Sequence, residues 1–356
     1  PLNVAIMQGA NRWLARVGLL EEGLQHLVDG LPASEITLAE ALKRAGYATG
    51  MVGKWHLGDF GALPHHHPNQ HGFDFFAGVP YSNDMFPYSY WKNDTIVEKD
   101  LGLRQAGVTA EFTREAIEFI EASQSRPFFL YFSHKNVHTP LVPSPEFEGR
   151  SAAGPYGDSV EELDASVGEI VRALASRDLL DQTLVFVTSD NGPWHLGSPG
   201  LLRGRKGQTL EGGQRVPAIA HWPGHIPAGS VIGEPAMNID LFPTFLGLAG
   251  LGLPLDRVID GRSLWGLLSG RESTGPLEGL FFFHDTVIDA VRSARWKYYR
   301  WVHLYTFPVP LDKVNSFIGR GAHQATYEDP QTGGTIHLIT HDPLLFAVEG
   351  DTNESY

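Results

Sequence analysis

No cysteine occurs anywhere in the 356 residues. That absence excludes a disulfide scaffold, a zinc–thiolate site and a thiol nucleophile within the chain as given. It does not fix a compartment, because exported bacterial proteins can do without disulfides. Long apolar runs are also missing, and none reaches the roughly 18 residues of a membrane span. The longest uncharged apolar run, Leu241 to Leu255, is broken by Pro243, Pro254 and several glycines. Basic residues are scarce: 27 Lys+Arg stand against 41 Asp+Glu, a formal charge of −14. Such a balance argues against a nucleic-acid binder, which needs a basic face, and against a polybasic membrane anchor. No signal peptide and no initiator methionine open the sequence; Pro1 leads directly into Leu2-Asn3-Val4. The start is therefore expected to be a processed, trimmed or truncated end. What is present suffices for a sizeable core: 42% of residues are apolar and 11% aromatic. At roughly 100–200 residues per domain, one large domain or a large and a small one are expected.

Strand and helix signals alternate in the α/β manner. A helix is expected over Thr37 to Arg44, then a strand from Tyr47 to Val52. Thr109 is expected to cap a helix that turns Phe112, Ala116, Phe119 and Ile120 to one face. The continuous apolar run Pro127 to Phe132 reads as a strand buried on both faces. Asp158 with Glu161 has the spacing of a capping box ahead of a helix through Leu174. Thr183 to Thr188 and Val216 to His221 read as further strands, and Asp240 opens a helix. After about Leu277 the chain turns to short aromatic-rich segments such as Leu280-Phe281-Phe282-Phe283 and Trp296 to Trp301, the texture of a small antiparallel sheet. The expected division is a large α/β domain over 1–277 and a smaller α+β domain over 278–356.

In open α/β sheets, ligand-binding groups collect at the carboxyl ends of strands. Lys54 and His56 follow the first strand, and His134 to Pro140, with His138, follow the Phe128–Phe132 run. Asp190-Asn191-Gly192 follows the Thr183–Thr188 strand, and Lys206 lies in a glycine-rich loop. Lysines for charge, histidines for proton transfer and hard oxygens for a metal suit a tetrahedral oxyanion beside a divalent cation. Taken singly, each is ordinary: a lone Lys or His after a strand is usually solvated, and Asp-Asn-Gly is a turn signal. His65-His66-His67, flanked by Pro64 and Pro68, reads as a surface loop rather than a metal cluster, with His71 a more distant partner at best. Trp55 and Trp194 read as packing or pocket walls.

Order and context change the weight of these signals. Gly46-Tyr47-Ala48-Thr49-Gly50-Met51-Val52-Gly53-Lys54-Trp55-His56-Leu57-Gly58 closely resembles the second signature of the sulfatase family. Further matches follow in family order: Gly72-Phe73-Asp74, Gly78 to Asp84, Pro127 to Pro140, Gly157 to Asp164, Ser189 to Pro193, Gly204 to Gly207, Glu211 to Pro217 and Trp222-Pro223-Gly224. The resemblance is to arylsulfatases of the A type and covers nearly the whole chain. It implies an alkaline-phosphatase-like α/β fold: a large mixed β-sheet sandwiched by helices, with a smaller C-terminal antiparallel sheet plus helix. It also implies hydrolysis of a small-molecule sulfate ester. By the same resemblance Lys54 and Lys206 hold sulfate oxygens, Lys206 also touching the leaving-group oxygen. His56 assists sulfate release, His138 binds sulfate and protonates the leaving group, and Ser82 hydrogen-bonds in the pocket. Asp190 and Asn191 correspond to half of a Ca²⁺ or Mg²⁺ ligand set. A dianionic transition state needs such fixed positive charge.

Two family features find no counterpart. The Asp-Asp pair of the first strand, the other half of the metal site, is absent ahead of the Arg16-Val17-Gly18 match. So is the Cys(or Ser)-x-Pro-x-Arg motif whose first residue becomes formylglycine; ungapped placements put Pro1 at the nucleophile or at the motif proline. The formylglycine nucleophile is thus not encoded in this chain, and the metal is expected to be weakly held. Three expectations follow: a sulfatase lacking its opening segment, a non-catalytic sulfatase-like binding protein, or a promiscuous phosphate or carboxylic ester hydrolase of the same superfamily. Family analogy points to a periplasmic or secreted location. Trp194, His195, Tyr81 and His284 are candidate pocket walls, and Asn93-Asp94-Thr95 and Asn353-Glu354-Ser355 fit glycosylation sequons.

Overall fold

The computed structural model describes residues 30–102, 104–275, 279–284, 287–300, 302–304, 323–328, 335–340, 344–351 and 354. The matches and placements within residues 1–18, the change of texture at Leu277, Trp301, the side chain of His284 and Asn353 and Ser355 of the second sequon lie outside them. The chain forms two compact units. One comprises the described residues up to Thr183 with Ala249–Gly252, the other Leu184–Leu248 and the residues from Leu253 onward.

The first unit is built on a mixed five-stranded sheet. Helix α1 (Leu38–Arg44) leads into β1 (Ala48–Lys54), followed by β2 (Phe75–Val79), β3 (Tyr90–Lys92) and β4 (Thr95–Glu98). Helix α2 (Val108–Ala122), strand β5 (Phe128–Ser133) and helix α3 (Gly154–Ala175) complete it. The strand order is β4-β3-β2-β1-β5, with β1 parallel to both β2 and β5 and β3 antiparallel to β2. Two apolar clusters flank the sheet. Val52, Ala77, Val79, Tyr88 and Tyr90 meet Val108, Phe112 and Ala116 of α2, while Met51, Trp55, Phe60, Phe73 and Phe76 pack with Ala39 of α1.

Local chemistry explains where the elements begin. Thr37 caps α1 through a reciprocal capping box: its hydroxyl accepts from Glu40 N–H at 3.0 Å and Glu40 Oε2 accepts from Thr37 N–H at 2.8 Å. Phe112, Ala116, Phe119 and Ile120 of α2 are all buried, as their spacing predicts. Thr109, however, lies inside that helix, whose N-cap is Gly107. Asp158 likewise sits one turn inside α3, because Pro155 in the first turn starts the helix earlier. Its carboxylate accepts from Ser151 N–H (2.7 Å) and Gly149 N–H (2.9 Å), and these bonds hold its pKa below the usual carboxylate range. Strand β5 is half-buried rather than buried on both faces, with Tyr131 49% exposed.

The second unit pairs β6 (Val185–Thr188) with β7 (Ala218–His221) in antiparallel fashion. The short helix α4 (Glu211–Gln214) precedes β7, and α5 (Leu241–Leu248) and α6 (Trp265–Leu268) follow it. A four-stranded antiparallel sheet then forms from β8 (Leu280–His284), β9 (Val287–Arg292), β10 (Lys297–Tyr299) and β14 (Leu344–Phe346), in the order β14-β10-β9-β8. Strands β11 (Val302–Leu304), β12 (His323–Glu328) and β13 (Thr335–Thr340) make a three-stranded sheet in the order β11-β13-β12. The inward side chains Leu280, Phe282, Ala290, Tyr299 and Phe346 pack around Leu210, just ahead of α4. The small antiparallel sheet expected at the C-terminal end is therefore present.

Candidate active site

The sequence-predicted site residues fall on both units. Lys54, His56, Ser82 and His138 belong to the first, and Asp190, Asn191 and Lys206 to the second.

In the first unit the carboxyl ends of β1, β2 and β5 converge where side chains are missing. Gly53 pairs with both Gly78 and Ser133. A Cβ on Gly53 would lie 1.8 Å from Ser133 O, and one on Gly78 would lie 1.9 Å from Gly53 O. Gly53 also has φ +111°, a conformation side chains rarely adopt. Beyond Lys54 the ladder continues irregularly: Trp55 N–H donates to Val79 O at 3.0 Å and His56 N–H to Pro80 O at 2.9 Å. His56 turns there with φ 55°, in the left-handed region. The β1 end bearing Lys54 and His56 is thus registered against the segment that carries Ser82.

Ser82 meets His138 directly, Oγ lying 3.2 Å from Nδ1. The same Nδ1 is 2.7 Å from Thr139 O. A carbonyl can only accept, so Nδ1 carries the hydrogen and Nε2 is the nitrogen that exchanges a proton. Asp84 Oδ1 stands 4.0 Å from Nδ1. Asn83, buried beside Ser82, donates through Nδ2 to the carbonyls of Pro140 (3.1 Å) and His138 (3.3 Å). Gln105 in turn donates to Asn83 O at 2.8 Å.

A second group of buried polar side chains lies at the foot of the His138 loop. Lys135, 1% exposed, donates from Nζ to Asn136 Oδ1 at 2.8 Å and to Val142 O at 3.4 Å. Asn136 Nδ2 donates to Glu162 Oε2 of α3 at 3.1 Å, and Ser144 N–H to Glu162 Oε1 at 3.2 Å. Burial pulls the Lys135 pKa down to about 8, with Glu162 opposing. His134, whose Nε2 is 3.2 Å from Ser166 Oγ, is pushed down to about 3 by burial and by Lys135. Asn83, Gln105, Lys135, Asn136 and Glu162 carried no sequence-based assignment. Except for Gln105, which lies in none of the quoted motifs, their signal was position inside those motifs, but polar identity alone does not reveal burial.

In the second unit Asp190 and Asn191 leave β6 on a tight turn, where Ser189 Oγ donates to Asn191 O at 3.1 Å. Two backbone contacts dock this turn on the Lys206 loop: Gly192 N–H donates to Gly213 O at 2.9 Å and Lys206 N–H to Pro193 O at 3.0 Å. A Cβ on Gly192 would lie 1.9 Å from Gly212 O, so the approach requires glycine. Arg205 Nη1 donates to the carbonyls of Gly197 (2.7 Å) and Trp194 (3.0 Å), fixing the segment after the turn. The structure therefore brings Lys206 to the Asp190–Asn191 turn. Asp190 and Asn191 offer the hard oxygens that Ca²⁺ or Mg²⁺ takes, so they fit part of such a site. Among the described residues no group of three or more His, Asp or Glu converges on a common point.

Below the Lys206 loop lies a buried ionic network. Lys297 Nζ contacts Thr209 O (2.7 Å), Glu211 Oε1 (3.0 Å) and Glu354 Oε1 (3.2 Å). Arg292 pairs with Glu211 Oε2. Glu354 Oε2 accepts from Glu211 N–H at 2.8 Å, and its carbonyl accepts from Arg203 at 3.0 Å.

The His65–His67 run corrects the expectation of a surface loop. His66 and His67 are buried, and His67 Nε2 pairs with Asn93 O at 2.8 Å while its ring meets Phe60. Burial lowers the pKa of both His67 and His71. His71 stacks on Trp55, so this cluster serves packing.

Comparison with known proteins shows the family and fold to which this chain is similar. The Sulfatase family model matches residues 9–251, and the model described as N-sulphoglucosamine sulphohydrolase, C-terminal, matches 206–310. Arylsulfatase A of Bos taurus is 38% identical, the alignment covering 100% of this chain and 73% of that protein. N-acetylgalactosamine-6-sulfatase of Mus musculus is 40% identical over 89% of this chain and 64% of its own length. Among solved structures, a Bacteroides thetaiotaomicron protein described with the metabolism of multiple glycosaminoglycans superposes with a TM-score of 0.75. It is 24% identical, with 96% of this chain and 84% of that one covered.

Proposed function

This chain belongs to the sulfatase family of sulfate-ester hydrolases, and we propose that it acts on an aryl-type sulfate ester through Lys54, His56, Ser82, His138 and Lys206. The observation that carries the reading is the Ser82–His138 contact, set on the segment registered against the β1 end that bears Lys54 and His56. Within the first unit a sulfate group would meet the lysine charge of Lys54, with Ser82 and His138 completing its hydrogen bonds; the role of Lys206 comes from the family resemblance. Positive groups fixed in advance stabilise the charge that develops in transfer without reorganising at that moment. His138, with Nδ1–H held by Thr139 O, donates from protonated Nε2 to the leaving oxygen. By the family resemblance Lys206 shares the charge on that oxygen, and His56 assists release of sulfate from a nucleophile that none of these residues supplies. Asp190 and Asn191 would hold a divalent cation, which when bound would supply positive charge to stabilise the anionic group. No residue of this chain is assigned the attack. The 1–277 portion is read as the catalytic-type domain, with 278–356 accessory to it.

The test is turnover of 4-nitrocatechol sulfate and of 4-nitrophenyl phosphate by the full-length protein and by its His138→Ala and Lys206→Ala variants. Sulfate turnover that falls at least about a hundredfold in both variants is expected. Preference for the phosphate ester would favour the promiscuous hydrolase. Tight sulfate-ester binding without turnover would favour a binding protein.

A further inference from the structure

We propose that Lys135 is a positioning residue for His138, its buried ammonium holding closed the 135–142 loop that presents the imidazole. The inference rests on the reading that places His138 in the sulfate pocket, and names what keeps it there.

The geometry is that of a staple. Lys135 Nζ reaches Val142 O, bridging the two ends of a loop whose middle is His138, and His138 N–H donates to Lys135 O at 3.1 Å. Its other contact, Asn136 Oδ1, orients that amide so that Nδ2 donates to Glu162. Glu162 also accepts from Ser144 N–H, just past the far end of the loop. One ammonium therefore sets two closures, a direct one to residue 142 and one through Asn136 and Glu162 to residue 144. Charge-assisted hydrogen bonds are about twice as strong as neutral ones, so a charged Lys135 grips the Val142 carbonyl more firmly than a neutral amine.

Keeping that charge costs stability. Among the described residues, the titratable groups facing Lys135 are few. Glu162 faces it from α3; His134, from the end of β5, stays neutral at its pKa of about 3. His138, on the loop itself, has Asp84 beyond its ring. Among the described residues Lys135 touches no carboxylate directly: Glu162 is reached through Asn136. With its folded pKa near 8 against an ordinary 10.5, the native state sheds a proton that the unfolded chain still holds between those values. Lys135 therefore makes the fold more stable as pH rises through that window, while the charge that grips the loop is lost. Stability and sulfate binding should move in opposite directions, which a merely structural lysine would not cause.

The experiment measures inorganic sulfate binding by calorimetry, together with thermal melting, for the full chain from about pH 7 to about pH 9.5, spanning the Lys135 pKa near 8. Wild-type affinity is expected to fall several-fold around pH 8. Lys135→Met is expected to bind sulfate about tenfold more weakly at pH 7. It should show no inflection near pH 8 and melt at or above the wild-type temperature. Glu162→Gln removes the charge that raises the Lys135 pKa, so its inflection moves below pH 8. Wild-type affinity in Lys135→Met, or survival of the inflection there, overturns the proposal. Should that variant fail to fold, an unmoved midpoint in Glu162→Gln overturns it instead. His138→Ala separates the two readings. Unchanged sulfate binding in that variant removes the pocket assignment itself; loss there with none in Lys135→Met removes only the role of Lys135.

Discussion

At the scale of single residues, Asn83 shows how much a short amide can control. Its Nδ2 spans the carbonyls on either side of Thr139, so it fixes the backbone that in turn fixes the His138 tautomer. Asn83→Ala is expected to cost about 1–3 kcal/mol in urea unfolding, because it leaves two carbonyls without their buried donor. It should also lower kcat more than it raises KM. Calcium is a second residue-scale case. Ca²⁺ takes six to eight oxygens, and Asp190 and Asn191, as proposed, would supply two side-chain donors. Calorimetry on this chain should therefore find a Kd weaker than about 10⁻⁴ M; tight one-to-one binding would contradict that. Residue types were readable in advance: Lys54, His56, His138 and Lys206 stand out as charge and proton carriers at strand ends. Burial was not. Nothing in His65-His66-His67 says that His66 and His67 enter the core, because the room they occupy depends on Gly30 and Gly58. A Cβ on either glycine would come within 2.5 or 2.7 Å of the His66 ring or its Cβ.

Among elements, β1 is the one whose disturbance spreads furthest. Its carboxyl end lies between two parallel neighbours and carries Lys54, with no space at Gly53 for a side chain. Gly53→Ala combines an overpacked contact with an unfavourable φ and is expected to destabilise by at least about 3 kcal/mol. Thermal melting would register that loss before any assay could. Element positions were largely legible because apolar periodicity and run length carry them: β1, α2 and β5 begin within a few residues of where the pattern puts them. Their starts were less so. The Asp158–Glu161 spacing mimics a helix N-terminus, yet Pro155 already occupies the first turn of α3 and Asp158 is used to tie down the chain before it. Two start signals competed, and local spacing could not rank them.

For the molecule as a whole, net charge sets a background against which the lysines act. A formal charge of −14 repels an anionic ester at long range, while Lys54 and Lys206, in the role proposed for them, would attract it nearby. The Debye length shrinks from about 30 Å at 0.01 M salt to about 8 Å at 0.15 M. Moderate salt should therefore raise kcat/KM for a sulfate ester, before higher salt weakens the local attraction; a monotonic fall in stopped-flow measurements would sink this account. Within the second unit, Lys297→Met would leave Glu354 without the countercharge of Lys297 and weaken the hold on Glu211. A loss of about 3–5 kcal/mol is expected by chemical denaturation, as for other broken buried ion pairs.

The same ionic network has a meaning in time as well as space. Glu354 accepts from the backbone of Glu211, 143 residues earlier in the chain. At typical synthesis rates that separation amounts to roughly 7–30 s on the ribosome. Arg292 and Lys297 follow Glu211 by 81 and 86 residues, so for the first part of that interval they too are missing, and for the rest the acceptor that completes their arrangement has yet to be made. The loop bearing Lys206 is thus among the last parts of the second unit to reach its final form. A nascent chain halted before residue 354 would expose this loop to proteases and chaperones long after β6 and β7 had paired.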